Sequence, residues 1–374
     1  MRIGIDATAL PPQPVGAGNY IIHLIRSLAA LDPAEQLVVF AQPGGLELIN
    51  KPDIPVSWVI IPERSPFARL VWEQVGLPRL IRRLRIDLLH SLHYTRPFWL
   101  PCASVVTFHD MTFFLSPHLH TRSKRWFFPP AIRMSARRAD ALTAVSESTR
   151  QDAIRILGIP AEKITTTPLG VDSNYRVIHD PLQRARVREK YRLPEQYVLY
   201  VGLVEPRKNL PLLVRAYRDL IDQGISLPLV VAGGFGWGYD QVLQEIEKLD
   251  LKERVQFLEY VPQGDLPLVY NLACLFVYPT LYEGFGLPAL EALACGVPVV
   301  TSAVASLPEI VGDAGILVSA GDQQALTGAM LAILSDPELS SELSKRGPAR
   351  ASLFTWKRTA QLTLQVYRQV LQTS

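Results

Sequence analysis

Two glutamates eight positions apart, Glu283 and Glu291, flank a Gly-Phe-Gly turn in the stretch Pro279-Thr-Leu-Tyr-Glu-Gly-Phe-Gly-Leu-Pro-Ala-Leu-Glu291-Ala-Leu-Ala-Cys-Gly-Val-Pro298. The order reads as strand, turn, helix, strand. Gly284 and Gly286 let the backbone turn, Pro288 suits the first helical turn, and Gly296 with Pro298 ends the helix. A helix starting near Leu287 aims its positive end and the N–H groups of Phe285, Gly286 and Leu287 at the space beyond a strand's carboxyl end. A diphosphate is the natural guest there. Glu291, one turn into the helix, can accept hydrogen bonds from vicinal hydroxyls such as those of a ribose, and Glu283 can face a sugar on the other side of the phosphates. Taken singly, Glu291 reads as a carboxylate complementing the helix dipole and Glu283 as a solvated loop charge.

A second strand-to-helix junction, Tyr200-Val-Gly-Leu-Val-Glu-Pro-Arg207-Lys208-Asn209, carries two adjacent cations. Cations in a first helical turn oppose the dipole, a cost that favours a functional pair over a solvated one. Arg207 would meet a pyrophosphate bidentately and Lys208 as a point charge. Such groups stabilise a departing phosphate, which makes Arg207 and Lys208 candidate catalytic residues, with Glu283, on the sugar side, a third.

In the first half, Val15-Gly-Ala-Gly-Asn-Tyr20 follows the first strand across a Pro-rich loop. It lacks the third glycine and the tight turn of a dinucleotide fingerprint, which excludes a nicotinamide-cofactor site. His109 and Asp110 end a strand in SVVTFHD and should stand at its carboxyl edge, with His109 as a candidate catalytic residue and Asp110 beside it. Ser146, in TAVSEST, reads first as an N-cap and second as a phosphate neighbour. Thr121 to Arg138 combines six Lys/Arg with Trp126, Phe127 and Phe128, either an ordinary surface helix or a patch for an anionic lipid-linked glycan or membrane surface. Neither an Asp-x-Asp pair at a strand end nor a His/Cys/carboxylate cluster with metal-ligand spacing occurs, so cationic side chains are expected to do a metal's work.

These residues need strand ends and helix starts to hold them. Short β-branched runs alternate with amphipathic segments throughout, predicting an α/β chain with parallel sheets. Strands are expected at 2–7, 37–41, 57–61, 86–90, 104–108, 141–145 and 163–167, with helices over 20–30 and 148–157. A polar stretch between Gly170 and Pro194 marks a domain boundary. Beyond it, strands at 197–201, 227–232, 255–258, 274–278, 297–301 and 315–318 predict a second doubly wound sheet. An amphipathic segment, 354–371, closes the chain.

At 374 residues and 48% hydrophobic, the chain can fill two cores. A net charge of +3 suits anionic ligands and falls short of a nucleic-acid signature. Three scattered cysteines, Cys102, Cys274 and Cys295, suggest neither disulfides nor zinc, and point to a reducing cytoplasm. The apolar run in MRIGIDATAL is too short for a signal peptide, and no stretch is long and apolar enough to span a bilayer. Membrane contact is expected to be peripheral, at the inner face.

EGFGLPALE resembles the E-x7-E motif of the retaining glycosyltransferases of family four, or glycosyltransferase group 1. Arg207 and Lys208 resemble that family's diphosphate clamp in the EPRKN form common among bacterial envelope-polysaccharide enzymes. Gly16 and Gly18 resemble its glycine loop, which approaches the diphosphate or the acceptor, and His109 its strand-end histidine. The resemblance implies the GT-B architecture: two Rossmann-like doubly wound domains facing across a cleft. Residues 1–175 would form the acceptor domain and 190–354 the nucleotide-sugar donor domain, with a final helix, 355–374, packing back on the first. It implies transfer of a hexose, mannose first, from a GDP- or UDP-sugar to a glycan or lipid-linked glycan, with retention and without cofactor or metal. A sugar-nucleotide epimerase of the same fold and a non-catalytic sugar-nucleotide sensor are the alternatives.

Overall fold

The computed structural model describes residues 1–11, 14, 16–31, 34–49 and 54–373; Val15 of the glycine stretch and Ser374 of the final segment lie outside them. The chain divides into two compact units, 1–170 with 355–374, and 171–354.

The first unit runs β1 (Arg2–Asp6), α1 (Ala17–Ala30), β2 (Gln36–Ala41), α2 (Pro43–Ile49), β3 (Ser57–Ile60), α3 (Pro66–Leu84), β4 (Leu88–Ser91), β5 (Ala103–Phe108), α4 (Thr112–Leu115), α5 (Arg122–Arg138), β6 (Ala141–Ala144), α6 (Glu147–Leu157) and β7 (Ile164–Thr166). Its sheet is parallel, in the order β3-β2-β1-β4-β5-β6-β7. Right-handed crossovers place α1 on one face and α3, α5 and α6 on the other, because the chain moves along the sheet in opposite directions on either side of β1. Side-chain alternation agrees with this. Val38, Phe40 and Leu89 pack under Leu77 and Ile81 of α3, and Val106, Phe108 and Leu142 under Ile132 and Ala136 of α5.

The second unit runs α7 (Pro181–Tyr191), β8 (Val198–Val201), α8 (Leu210–Asp222), β9 (Leu229–Ala232), α9 (Tyr239–Lys248), β10 (Val255–Glu259), α10 (Leu266–Leu272), β11 (Leu275–Tyr278), α11 (Leu287–Ala294), β12 (Val299–Ser302), α12 (Leu307–Val311), β13 (Ile316–Val318), α13 (Gln323–Ser335) and α14 (Pro337–Ala351). Its parallel sheet has the order β10-β9-β8-β11-β12-β13. Strand order reverses between β8 and β11, the point where open α/β sheets bind ligands.

The polar stretch after Gly170 is a correction to the sequence reading. The second unit begins at Val171, and α7 is a capped helix: Asp180 accepts from the Leu182 and Gln183 amides, and Arg186 and Lys190 pair with Asp265 before α10. Among its eleven residues only Val187 is buried.

The last helix, α15 (Trp356–Thr373), belongs to the first unit and lies along α1. A buried chain of hydrogen bonds holds it: Tyr367 Oη lies 2.6 Å from His90 Nδ1, and His90 Nε2 lies 2.8 Å from Thr107 Oγ1. Burial drives the His90 pKa down to about 3, so the ring is neutral and serves as a linker. Arg368 adds a bidentate pair with Glu35.

Candidate active site

In the second unit, the β8 and β11 loops are sewn together at the switch point. The Arg207 carbonyl accepts from the Leu281 amide (2.8 Å) and from Thr280 Oγ1 (3.1 Å). Arg207 and Lys208 sit in a 3-10 turn, Pro206–Lys208, that ends at Asn209 in the left-handed conformation (φ 54°) before α8 begins. The sequence reading put both cations in a helix's first turn. Instead they precede it, and their side chains cross to the neighbouring loop.

There they meet Glu283. Its Oε1 receives Arg207 Nη1 (2.9 Å), the Lys208 ammonium, Tyr278 Oη (2.9 Å) and Thr280 Oγ1 (3.2 Å). Burial disfavours the carboxylate, yet the charges of Arg207 and Lys208, with hydrogen bonds from Lys208 and Tyr278, hold its pKa at about 2. Glu283 is therefore ionised and buried, not a solvated loop charge. Burial lowers the Lys208 pKa, and Glu283 opposes that. Arg207 also donates to the Tyr282 carbonyl and pairs with Glu205 at 2.8 Å. Two cations thus face two carboxylates.

The turn into α11 is rigid. Ser306 Oγ donates to the Glu283 and Phe285 carbonyls (2.9 and 2.6 Å), and the Phe285 ring turns inward against Phe354. Gly286 caps α11 at φ 104°, where a Cβ would lie 2.6 Å from Leu307 Cδ2. With the Phe285 ring turned inward and Gly286 without a side chain, these two residues offer a ligand backbone N–H groups just ahead of α11, joined by that of Leu287 in its first turn. Further along α11, Glu291 accepts from Tyr270 Oη at 3.0 Å. Burial pushes its carboxyl up to about 8, with Asp172 adding and Tyr270 and Tyr175 opposing. Ser302, ending β12, is buried with its Oγ unpartnered.

In the first unit, Gly16 caps α1 at φ 49° with open space where a Cβ would be, and Gly18 sits against Pro14. Tyr20 fastens this turn to the strand-end histidine: its hydroxyl lies 2.9 Å from Thr107 Oγ1 and its ring 5.0 Å from that of His109, edge to face. His109 Nε2 lies 2.8 Å from the Leu92 carbonyl, which can only accept, so Nε2 carries the proton and Nδ1 a lone pair. Burial lowers the His109 pKa, keeping the ring neutral. Asp110 instead turns to the chain entering α4, accepting from the Thr112 amide and hydroxyl. Ser146 caps α6 through the Thr149 amide, and Thr149 Oγ1 reaches the His109 carbonyl. Tyr20 thus ties the helix that Gly16 caps to His109, with Ser146 linked to the His109 carbonyl through Thr149 and Asp110 turned to its own helix.

Tyr278, Thr280, Ser306, Tyr270 and Ser302 escaped the sequence reading. Tyr278 and Ser302 end buried strands, Thr280 and Ser306 lie in the loops beyond them and Tyr270 sits on α10; none carries a local signal, and only the strand-end place of the first four, in a chain already read as doubly wound, could have marked them. Among the described residues, no three His, Cys, Asp or Glu side chains are placed to hold a metal ion, and no helix is long and apolar enough to cross a membrane.

Residues 183–350 match the family model for glycosyl transferases group 1, and 14–175 that for glycosyltransferase family 4. The chain is 34% identical over 366 residues to O-antigen chain mannosyltransferase B of Escherichia coli, covering 94% of this chain and 96% of that protein. It is 33% identical over 243 residues to the GDP-mannose-dependent alpha-(1-6)-phosphatidylinositol monomannoside mannosyltransferase of Mycolicibacterium smegmatis, covering 61% and 63% respectively. In fold it is similar to Anabaena HepE, solved in complex with UDP and glucose, with a TM-score of 0.78 at 19% identity over 99% of this chain and all of the other.

Proposed function

This chain belongs to the group 1, family 4 glycosyltransferases, and on that premise we propose that it moves mannose from GDP-mannose, with retention, to a hydroxyl of a glycan or lipid-linked glycan. The observation that carries this reading is the convergence of Arg207, Lys208 and Glu283 beside the start of α11. The names of the Escherichia coli and Mycolicibacterium smegmatis relatives support mannose and GDP.

Breaking the anomeric C–O bond leaves positive charge on the sugar and negative charge on the departing diphosphate. Lys208, Arg207 and the α11 N–H groups stabilise the latter, and being fixed beforehand they reorganise little as the charge develops. The donor's phosphates compete with Glu205 for Arg207. Glu283, kept ionised by its cations, accepts hydrogen bonds from the sugar, and Glu291 holds the ribose hydroxyls. His109 accepts from the transferred sugar or its acceptor through Nδ1. A same-face displacement, with the leaving phosphate taking the acceptor's proton, fits these roles without a second carboxylate nucleophile. The cations make a divalent ion unnecessary, and transfer should survive chelation.

A lipid-linked acceptor places the protein in the cytoplasm, peripheral at the inner membrane face. The test is incubation with GDP-mannose and a mannose-terminated acceptor, with NMR of the product. An α-linked mannose supports the reading. A β-linkage refutes retention, and conversion of the donor to an epimer without acceptor refutes transfer.

A further inference from the structure

The first sheet has a switch point of its own. Its strand order reverses between β1 and β4, which run side by side with Asp6 opposite Ser91. The crevice at the carboxyl ends of such a strand pair is where an open α/β sheet takes a ligand. The proposed donor site belongs to the second sheet, which leaves this crevice without an assigned occupant.

The residues gathered there are polar and buried. Asp6 ends β1 and is 8% exposed; its Oδ1 accepts from the Thr8 amide (3.0 Å) and hydroxyl (2.6 Å), and none of the described residues donates to its Oδ2. Glu73, on α3, is 2% exposed and meets Arg69 (3.1 Å) through one oxygen and Thr95, in the loop after β4 (3.3 Å), through the other. Burial, with the charge of Asp6, pushes its carboxyl up to about 7. His93 stands two residues beyond β4, its ring 5.7 Å from that of His109 and 6.3 Å from that of Phe128. No other described residue hydrogen-bonds this ring, and burial, with His109 and Arg69 beside it, holds it neutral.

Packing alone does not account for this set. Of the two carboxylates only Glu73 has an ion pair, and a buried carboxylate without a cation is costly. Asp6 and His93 also keep hydrogen-bonding capacity that folding leaves unused. We propose that Asp6, Arg69 and His93 line a subsite for the acceptor's terminal sugar, with Asp6 Oδ2 and a His93 ring nitrogen bonding its hydroxyls and Glu73 orienting Arg69 from behind.

Charge selects the occupant. An anion at Arg69 would face Glu73 and Asp6; Lys124, whose charge also reaches His93, is exposed on α5, where water screens it. A sugar hydroxyl donates to Asp6 and accepts from Arg69, whereas an ionised phosphate or carboxylate only accepts. The subsite therefore takes an uncharged sugar over a phosphorylated one, and holds it beside His109. That this sugar is an acceptor rests on the transferase reading; the preference for an uncharged polyol rests on the crevice alone.

The test is a ligand-observed NMR titration of the full chain, without donor, with a methyl mannobioside and with the same disaccharide phosphorylated on its terminal sugar. The unmodified chain should bind the neutral sugar, and the phosphorylated one at least about tenfold more weakly. Asp6→Asn, which can still accept from Thr8, should weaken the neutral sugar about 10- to 100-fold. His93→Ala, which breaks no hydrogen bond to another described residue, should weaken it about two- to tenfold and keep the melting temperature of the unmodified chain. Both variants should keep the thermal response to GDP-mannose, and in transfer assays both should raise the acceptor KM more than they lower kcat. No binding of the neutral sugar to the unmodified chain, binding that both variants leave unchanged, or equal binding of the phosphorylated sugar overturns the proposal. Sugar binding that depends on Asp6 and His93 in a chain that gives no response to GDP-mannose would support the subsite while removing the transferase reading.

Discussion

Arg207 Nη1 lies 2.9 Å from Glu283 Oε1, and these residues come from loops after different strands, β8 and β11. The pair locks the two loops across the switch point of the second sheet. It also keeps a buried carboxylate ionised where a sugar is proposed to lie.

Lys208 shares that carboxylate oxygen. Replacing it with methionine preserves the stem and removes the charge, leaving Arg207 as the cation on Glu283 beside the Tyr278 and Thr280 hydroxyls. Lys208→Met should cost about 3–5 kcal/mol of stability, the usual result of breaking a buried pair from one side. It should also lower kcat about 10²- to 10³-fold. Denaturant titration and steady-state transfer rates check the two effects separately.

Glu291 gives a pH signature. Its carboxyl titrates at about 8 in the folded chain, against about 4.3 unfolded. Between those values the folded chain holds a proton that the unfolded chain has lost, so this group makes stability fall as pH rises, levelling above about pH 8. Glu291→Gln should remove that slope and be more stable than the unmodified chain at pH 8. Glu283 has the opposite sign: its pKa of about 2 adds stability above the unfolded value, lost as pH falls toward 2. Melting temperatures from pH 3 to 9 separate the two.

His109 is held neutral by burial. A pH–rate profile should therefore lack a histidine inflection near 6.5. His109→Ala should lower kcat/KM about 10²-fold while GDP binding stays unchanged.

Gly170 tests the seat of the last helix. A Cβ there would lie 2.0 Å from the Trp356 amide nitrogen and 2.4 Å from the Thr355 carbonyl carbon, both backbone atoms. Gly170→Ala should cost about 3 kcal/mol, visible as a lower denaturation midpoint. A variant as stable as the parent would show that α15 is not held at this point.

The α/β architecture was legible because parallel strands buried on both faces read as short β-branched runs. Each strand expected from the sequence overlaps an observed one, even the four-residue Leu88–Ser91 and Ala141–Ala144. The start of α11 at Leu287 was legible for a different reason, since Gly286 and Pro288 punctuate it. By contrast α7 was hidden: with one buried residue it has little apolar periodicity, and Asp265, far off in sequence, anchors it. The turn at Arg207–Lys208 was misplaced because Asn209, not a glycine, takes the left-handed conformation that ends it. At the site, residue types and spacing singled out Glu283 and Arg207. Tyr278 and Thr280 meet Glu283 Oε1 within the β11 turn itself, whose path their residue types do not announce, and the arrival of Arg207 and Lys208 depends on how two loops fold over one another, which no local pattern encodes.

The most direct test of the proposed donor site is a thermal-shift titration of the unmodified chain and Arg207→Ala with GDP-mannose, using UDP-glucose as the comparison. Ligand at about 100 times its dissociation constant stabilises by about 2.7 kcal/mol. The account predicts a saturable shift with GDP-mannose, little with UDP-glucose, and loss of the shift in Arg207→Ala. An equal shift in the variant, or none with GDP-mannose in the unmodified chain, would contradict it.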